Sequence, residues 1–149
     1  IGRARDYSMT GGDKSELTAL FRKALAEQGL KEAPEDSPEK GHYYRSDHFS
    51  MAKLGVPMFD VSRGIDLFEG GKAAGEAARD DYVNNRYHQP SDEYSPKWDW
   101  SGINQDVKLY YRLGHMLADG KTWPNWYPTD EFRAIRDQSR AAAQPGKGK

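Results

Sequence analysis

Between Trp100 and Ala118 an apolar stripe recurs at helical spacing, and a long helix with one apolar face must be covered by another layer of the fold. Trp100, Ile103, Val107, Tyr110, Tyr111, Gly114, Leu117 and Ala118 trace that face, with Asp99 placed to cap the start and Gly120 to end it. A sheet is the expected cover. Residues 5–10 read as a short strand closed by Gly11 and Gly12, and residues 56–61 as a compact apolar strand behind Gly55. An earlier helix is expected on Leu17, Leu20, Phe21, Ala24 and Leu25. Asp13 and Glu16 have capping-box spacing before it, and Gly29 is placed for a left-handed end.

The remaining segments are more polar. Residues 31–41, rich in proline and acidic side chains, read as a surface loop; residues 46–54 as a short helix; residues 62–86 as a polar connection with a short helix near 73–84. Trp123, Pro124, Asn125 and Trp126 form an aromatic turn. Thr129 is placed to cap a last helix bearing Phe132 and Ile135, and residues 141–149 read as a flexible tail. This alternation of strands and helices points to an α/β layer structure.

A chain of 149 residues is the size of one domain, and at 36% hydrophobic and 30% charged it has little core to spare. Its net charge of -1 and the lack of a dense Lys and Arg stripe argue against nucleic acid as a partner. No apolar run reaches the roughly 20 residues of a membrane span, so none is expected. The absence of cysteine removes disulfides and thiolate metal ligands. Ile1-Gly2-Arg3 offers neither an initiator Met nor a signal peptide's apolar core, and the chain is expected to start inside a longer one.

Open α/β sheets place ligands at strand ends, and two polar clusters qualify. One is Tyr44-Arg45-Ser46-Asp47-His48, ahead of a helix; the other is Arg86-Tyr87-His88-Gln89-Pro90-Ser91-Asp92, a turn-rich segment leading to the long helix. An imidazole ligates zinc through one nitrogen while a carboxylate fixes the other, so His88 with Asp92 is chemically apt. A turn-forming, hydrogen-bonded His88 is the plainer alternative. Asp47 with His48 at the start of a helix is more often a capping and packing pair.

Residues 44–57 followed by residues 86–92 resemble the C-terminal catalytic region of the co-catalytic zinc exopeptidases, metallopeptidase family 28, which includes aminopeptidase Y, bacterial leucyl aminopeptidases and glutamate carboxypeptidase. The resemblance implies an α/β three-layer sandwich, with residues 1–140 as the C-terminal portion of the catalytic domain. It implies a peptide substrate and two zinc ions in the intact enzyme, which polarise the scissile carbonyl and activate a bridging water. His88 corresponds to a ligand of one zinc, Tyr87 to a residue near the reacting carbonyl oxygen, and Asp92 to a support behind His88. Ser46 and Asp47 correspond to pocket walls and His48 to their support.

The family's other ligands and its general base come from motifs that this sequence lacks: a His-x-Asp, a bridging Asp, a Glu-Glu pair and a later Asp. No catalytic residue is therefore expected here. They are expected in a missing N-terminal part, without which the chain should show no peptidase activity. A periplasmic or secreted location is implied by the same resemblance. Two other classes share the fold, a peptidase-like binding module that has lost its metal ligands and a zinc acyltransferase of the glutaminyl cyclase type.

Overall fold

Side chains alternate along Asp6–Thr10, with Tyr7 and Met9 buried and Asp6, Ser8 and Thr10 partly open, and that period of two sets the architecture. The computed structural model describes residues 2–121 and 123–143. In chain order these form β1 (Asp6–Thr10), α1 (Leu17–Glu27), β2 (Lys31–Glu32), α2 (Phe49–Ala52), β3 (Asp60–Arg63), α3 (Gly71–Asn85), α4 (Trp100–Ala118) and α5 (Arg133–Ala143). Two 3-10 turns, Pro38–Lys40 and His42–Arg45, precede α2. The sheet has the order β2-β1-β3, with β2 parallel and β3 antiparallel to β1. The outcome is helices around a small mixed sheet, an α/β arrangement.

The apolar face of the sheet packs on α1 and α4. Tyr7, Met9 and Val61 from the strands meet Phe21, Ala24 and Leu25 of α1 and Leu109 and Leu113 of α4 in one buried cluster. The first helix ends in a Schellman motif: Gly29 sits at φ 67, its N–H donates to Ala26 O and that of Leu30 to Leu25 O. Its start differs from the expected capping box. No side chain caps it. Asp13 pairs with Arg22 at 3.1 Å, and the Glu16 carboxylate accepts from the Asn125 N–H at 2.9 Å.

The long helix forms where its spacing places it, and Asp99 caps it by accepting from Ser101 N–H at 2.8 Å. The face it buries is another one. Gly102, Leu109 and Leu113 are buried, whereas Val107 and Tyr111 are 60% and 71% exposed and Trp100 and Ile103 also face solvent. Polar anchors cause the rotation. The Gln105 amide bonds both Ala4 N–H and Ala4 O at 2.9 Å, the Asp106 carboxylate accepts from Tyr7 at 2.7 Å and pairs with Arg63 at 3.1 Å, and the Tyr110 hydroxyl donates to Val61 O at 2.7 Å.

Four other expectations are corrected. Hydrogen-bonded pairing in the 56–61 region begins only at Asp60, and Met58 ahead of it packs against a second core. Within the 31–41 loop, Lys31 and Glu32 pair with β1. Ahead of the last helix Phe132 N–H donates to Asp130 rather than to Thr129, and that helix runs to Ala143, into the segment read as a tail; residues 144–149 lie outside the described residues.

The second core is aromatic. Tyr43, Ala52, Trp126 and Phe132 are buried together, with Phe49 and Met58 against them, and Trp126 donates its indole N–H to Gly55 O at 2.9 Å. Backbone pairing of Ser15 with Trp126 ties this core to the start of α1.

Candidate functional site

The Ser46-Asp47-His48 segment is held by the second core. It follows the 3-10 turn at His42–Arg45, where Ser46 Oγ donates to His42 O at 2.9 Å. His48 is the residue just before α2, and its ring lies 4.6 Å from that of Tyr43. Neither Asp47 nor His48 caps the helix with its side chain. Instead His48 packs: its Nε2 is buried and has no hydrogen-bond partner among the described residues. Ser46 and Asp47 are exposed.

Lys14 organises the rim of this nest. Its ammonium pairs with Asp130 at 2.9 Å and stands within 6 Å of the Tyr43, Tyr44 and Phe132 rings. Burial pulls its pKa down, but the hydrogen bond and charge of Asp130 outweigh it, so the ammonium is held above its ordinary value. Burial likewise pushes the Tyr43 hydroxyl up.

His88 is built the opposite way. It lies just past the end of α3, exposed, at φ 57, a left-handed conformation that a non-glycine residue seldom adopts. Local hydrogen bonds impose that turn: Tyr87 N–H donates to Tyr82 O, Gln89 N–H to Arg86 O, Asp92 N–H to Gln89 O, and Ser91 Oγ to Asn85 O. The His88 ring stacks on Tyr87 at 3.8 Å between centroids. The Asp92 carboxylate accepts from Tyr82 at 2.9 Å, and that bond raises the Tyr82 pKa; it is the partner the structure gives Asp92. Arg86 pairs with Asp81.

A cleft of about 590 Å3 lies on the polar face of the sheet, bordered by Ser46 of the first segment. Asp6, Ser8, Asp60 and Ser62 form its floor, Ser46 and His42 lie on one side, and Lys72 and Arg79 of α3 on another. Arg79 reaches Asp36 at 3.7 Å. These wall residues were not singled out by motif, although the polar half of the alternation in β1 was a signal for them. Ser46 is thus brought to a cleft, whereas His88 and Tyr87 are carried at the far end of the helix that forms its wall. No group of three His, Cys, Asp or Glu side chains among the described residues could hold a metal ion. No described helix is long and apolar enough to cross a membrane.

Residues 1–111 match peptidase family M28, a span that includes both motif segments, the sheet and most of α4. The chain belongs to that family. A peptidase-type activity on peptides and the family's general dependence on zinc follow at that level. No curated protein and no solved structure matches the chain.

Among the described residues, no set of side chains makes up a zinc site by itself. His88 offers an exposed imidazole on a fixed turn. His48 is packed inside an aromatic nest, where reaching a metal would require the nest to open.

Proposed function

We propose that the protein is a zinc-dependent exopeptidase of the aminopeptidase type, with residues 1–140 as the C-terminal portion of its catalytic domain. The observation that supports it most is His88 itself: an exposed imidazole held at φ 57 by its turn, within a family match that spans both motifs. A backbone held in a strained region is a pointer to function when the surroundings over-determine it. In this proposal His88 is one zinc ligand, and the other ligands and the general base lie outside these 149 residues.

The chain's own contribution is then positional. Tyr87, stacked on His88, stands beside the reacting carbonyl oxygen and steadies the imidazole plane. Asp92 acts on His88 at one remove, fixing α3 to the turn through Tyr82. Ser46 borders the cleft and Asp47 beside it is exposed, both available to a peptide in this reading, and His48 supports them from against Tyr43. A three-layer sandwich would add helices over the polar face of the sheet. Export to a periplasm or the cell exterior is proposed with the family.

Hydrolysis of a leucine anilide by the native protein, lost on chelation and restored by zinc, is the expected result. The 149-residue chain by itself should show no such turnover. Cyclisation of an N-terminal Gln peptide without anilide hydrolysis would assign the acyltransferase chemistry instead. Absence of both activities in a zinc-free native protein would make it a binding module.

A further inference from the structure

We infer that Lys14 and Glu131 are positioning residues that clamp Tyr44 and thereby fix where the Ser46 wall of the cleft stands. Glu131 lies past residue 111, where the family match ends, so the clamp is a contribution of the segment that follows α4.

The segment that carries Ser46 has little backbone structure to hold it. It is a 3-10 turn, His42–Arg45, followed by the four-residue α2, and neither is capped by a side chain. Side chains must set its position. One does so from within: Tyr43 is buried, and at Gly11, with φ +93, a Cβ atom would collide with the Tyr43 ring, so the turn after β1 lies directly on it. Arg45, Ser46 and Asp47 are exposed. The bond from Ser46 Oγ to His42 O closes the turn on itself, and both of these residues line the cleft, so the wall moves as the turn moves.

Tyr44 is the tether on the exposed side. Its ring packs edge-on against those of Tyr43 and Phe49, both at 5.4 Å, and its hydroxyl donates to Glu131 at 2.6 Å. That bond is the leading cause of the raised Tyr44 pKa, which keeps the hydroxyl a donor. Lys14 holds the other end. Its ammonium stands 3.5 Å from Glu131 and 2.9 Å from Asp130, whose side chain is only 5% exposed and also accepts from the Phe132 N–H at 2.9 Å. Asp130 is thus a fixed point, and Lys14 carries it to Glu131. A carboxylate shared between an ammonium and a hydroxyl makes charge-assisted bonds, stronger than neutral ones. Lys14, Tyr44 and Glu131 do not line the cleft, so they act on it through the turn.

The test compares the native protein with its Tyr44→Phe variant, which loses the hydroxyl and keeps the ring. Amide exchange over residues 42–50 should rise about fivefold, the size expected of one partly exposed hydrogen bond to a charged group, and should stay unchanged over residues 71–92. The kinetic consequence rests on the peptidase reading: KM for the leucine anilide should rise by a similar factor with kcat unchanged, because the wall binds substrate and does not react with it. Glu131→Ala should match Tyr44→Phe, the two together should do no more than either, and Glu131→Gln, still an acceptor, should restore most of the loss. Lys14→Met should loosen the same residues; if it does not fold by circular dichroism, Lys14→Gln takes its place. Unchanged exchange over residues 42–50 in Tyr44→Phe or in the Lys14 variant, or additive effects of Tyr44→Phe and Glu131→Ala, would overturn the clamp. Loosened exchange with KM unchanged would overturn its link to the cleft wall. A native protein that does not hydrolyse the anilide would count against the peptidase reading, and exchange over residues 42–50 would then decide the clamp by itself.

Discussion

The Ser46-Asp47-His48 segment and the Tyr87-His88 turn belong to one proposed site yet are built by different means. The first is anchored by a buried aromatic core in which Tyr43 meets His48, Phe49 and Phe132 and in which Trp126 is wholly enclosed. The second has no core of its own. Short-range hydrogen bonds, one ring stack and the end of a helix hold it, and its side chains face solvent. Packing fixes the position of a group against many neighbours at once, whereas a turn fixes only backbone direction. His48 is therefore held in place at the expense of access, and His88 is accessible with its direction set by φ.

Substitutions should separate the two regions by size of effect. Trp126→Ala empties the centre of the aromatic core and should cost about 3–5 kcal/mol, read as a lower denaturant midpoint. A loss under about 1 kcal/mol would show that the nest is not the anchor. Gly75→Ala is next. A Cβ there would collide with the Ile65 carbonyl oxygen, so α3 must shift, at a cost of about 1–3 kcal/mol. Hydrogen exchange should then rise over residues 71–92 and stay unchanged over residues 43–58.

Alkaline titration should distinguish the regions further. Burial is the leading cause of the raised pKa values of Tyr7, Tyr43 and Tyr110, the last to about 12. A group whose folded pKa lies above its unfolded one stabilises fully below the unfolded value, about 10 for tyrosine, and its contribution fades as pH climbs toward the folded value. Stability should therefore fall from about pH 10 upward, and Tyr43→Phe should flatten that fall. A midpoint that stays level through that window would contradict the burial assigned to these hydroxyls. The smallest expected effect is at the exposed turn: His88→Gly relieves the left-handed backbone and should leave stability unchanged or raise it by up to about 1 kcal/mol. A clear loss would mean that the imidazole itself holds the turn.

The sequence made legible those features that depend on local chemistry. The first helix, its left-handed end at Gly29, the strand at residues 6–10 and the Asp99 cap all follow from nearby side chains. The orientation of α4 did not, because its apolar stripe and its docking face are different faces and the docking is decided by Gln105, Asp106 and Tyr110 meeting distant backbone. β2 was hidden for a related reason: two polar residues carry no alternation, and only β1 beside them makes them a strand. Of the site residues, both motifs were visible as motifs. That Asp92 is held by Tyr82, and that the Nε2 atom of His48 is buried without a partner among the described residues, required the fold.

Zinc content by native mass spectrometry, measured on the native protein and on its His88→Ala variant, tests the proposed role of the exposed turn most directly. Loss of bound zinc and of leucine-anilide turnover in the variant, with circular dichroism unchanged, is the predicted result. Zinc and turnover that both survive His88→Ala would contradict it.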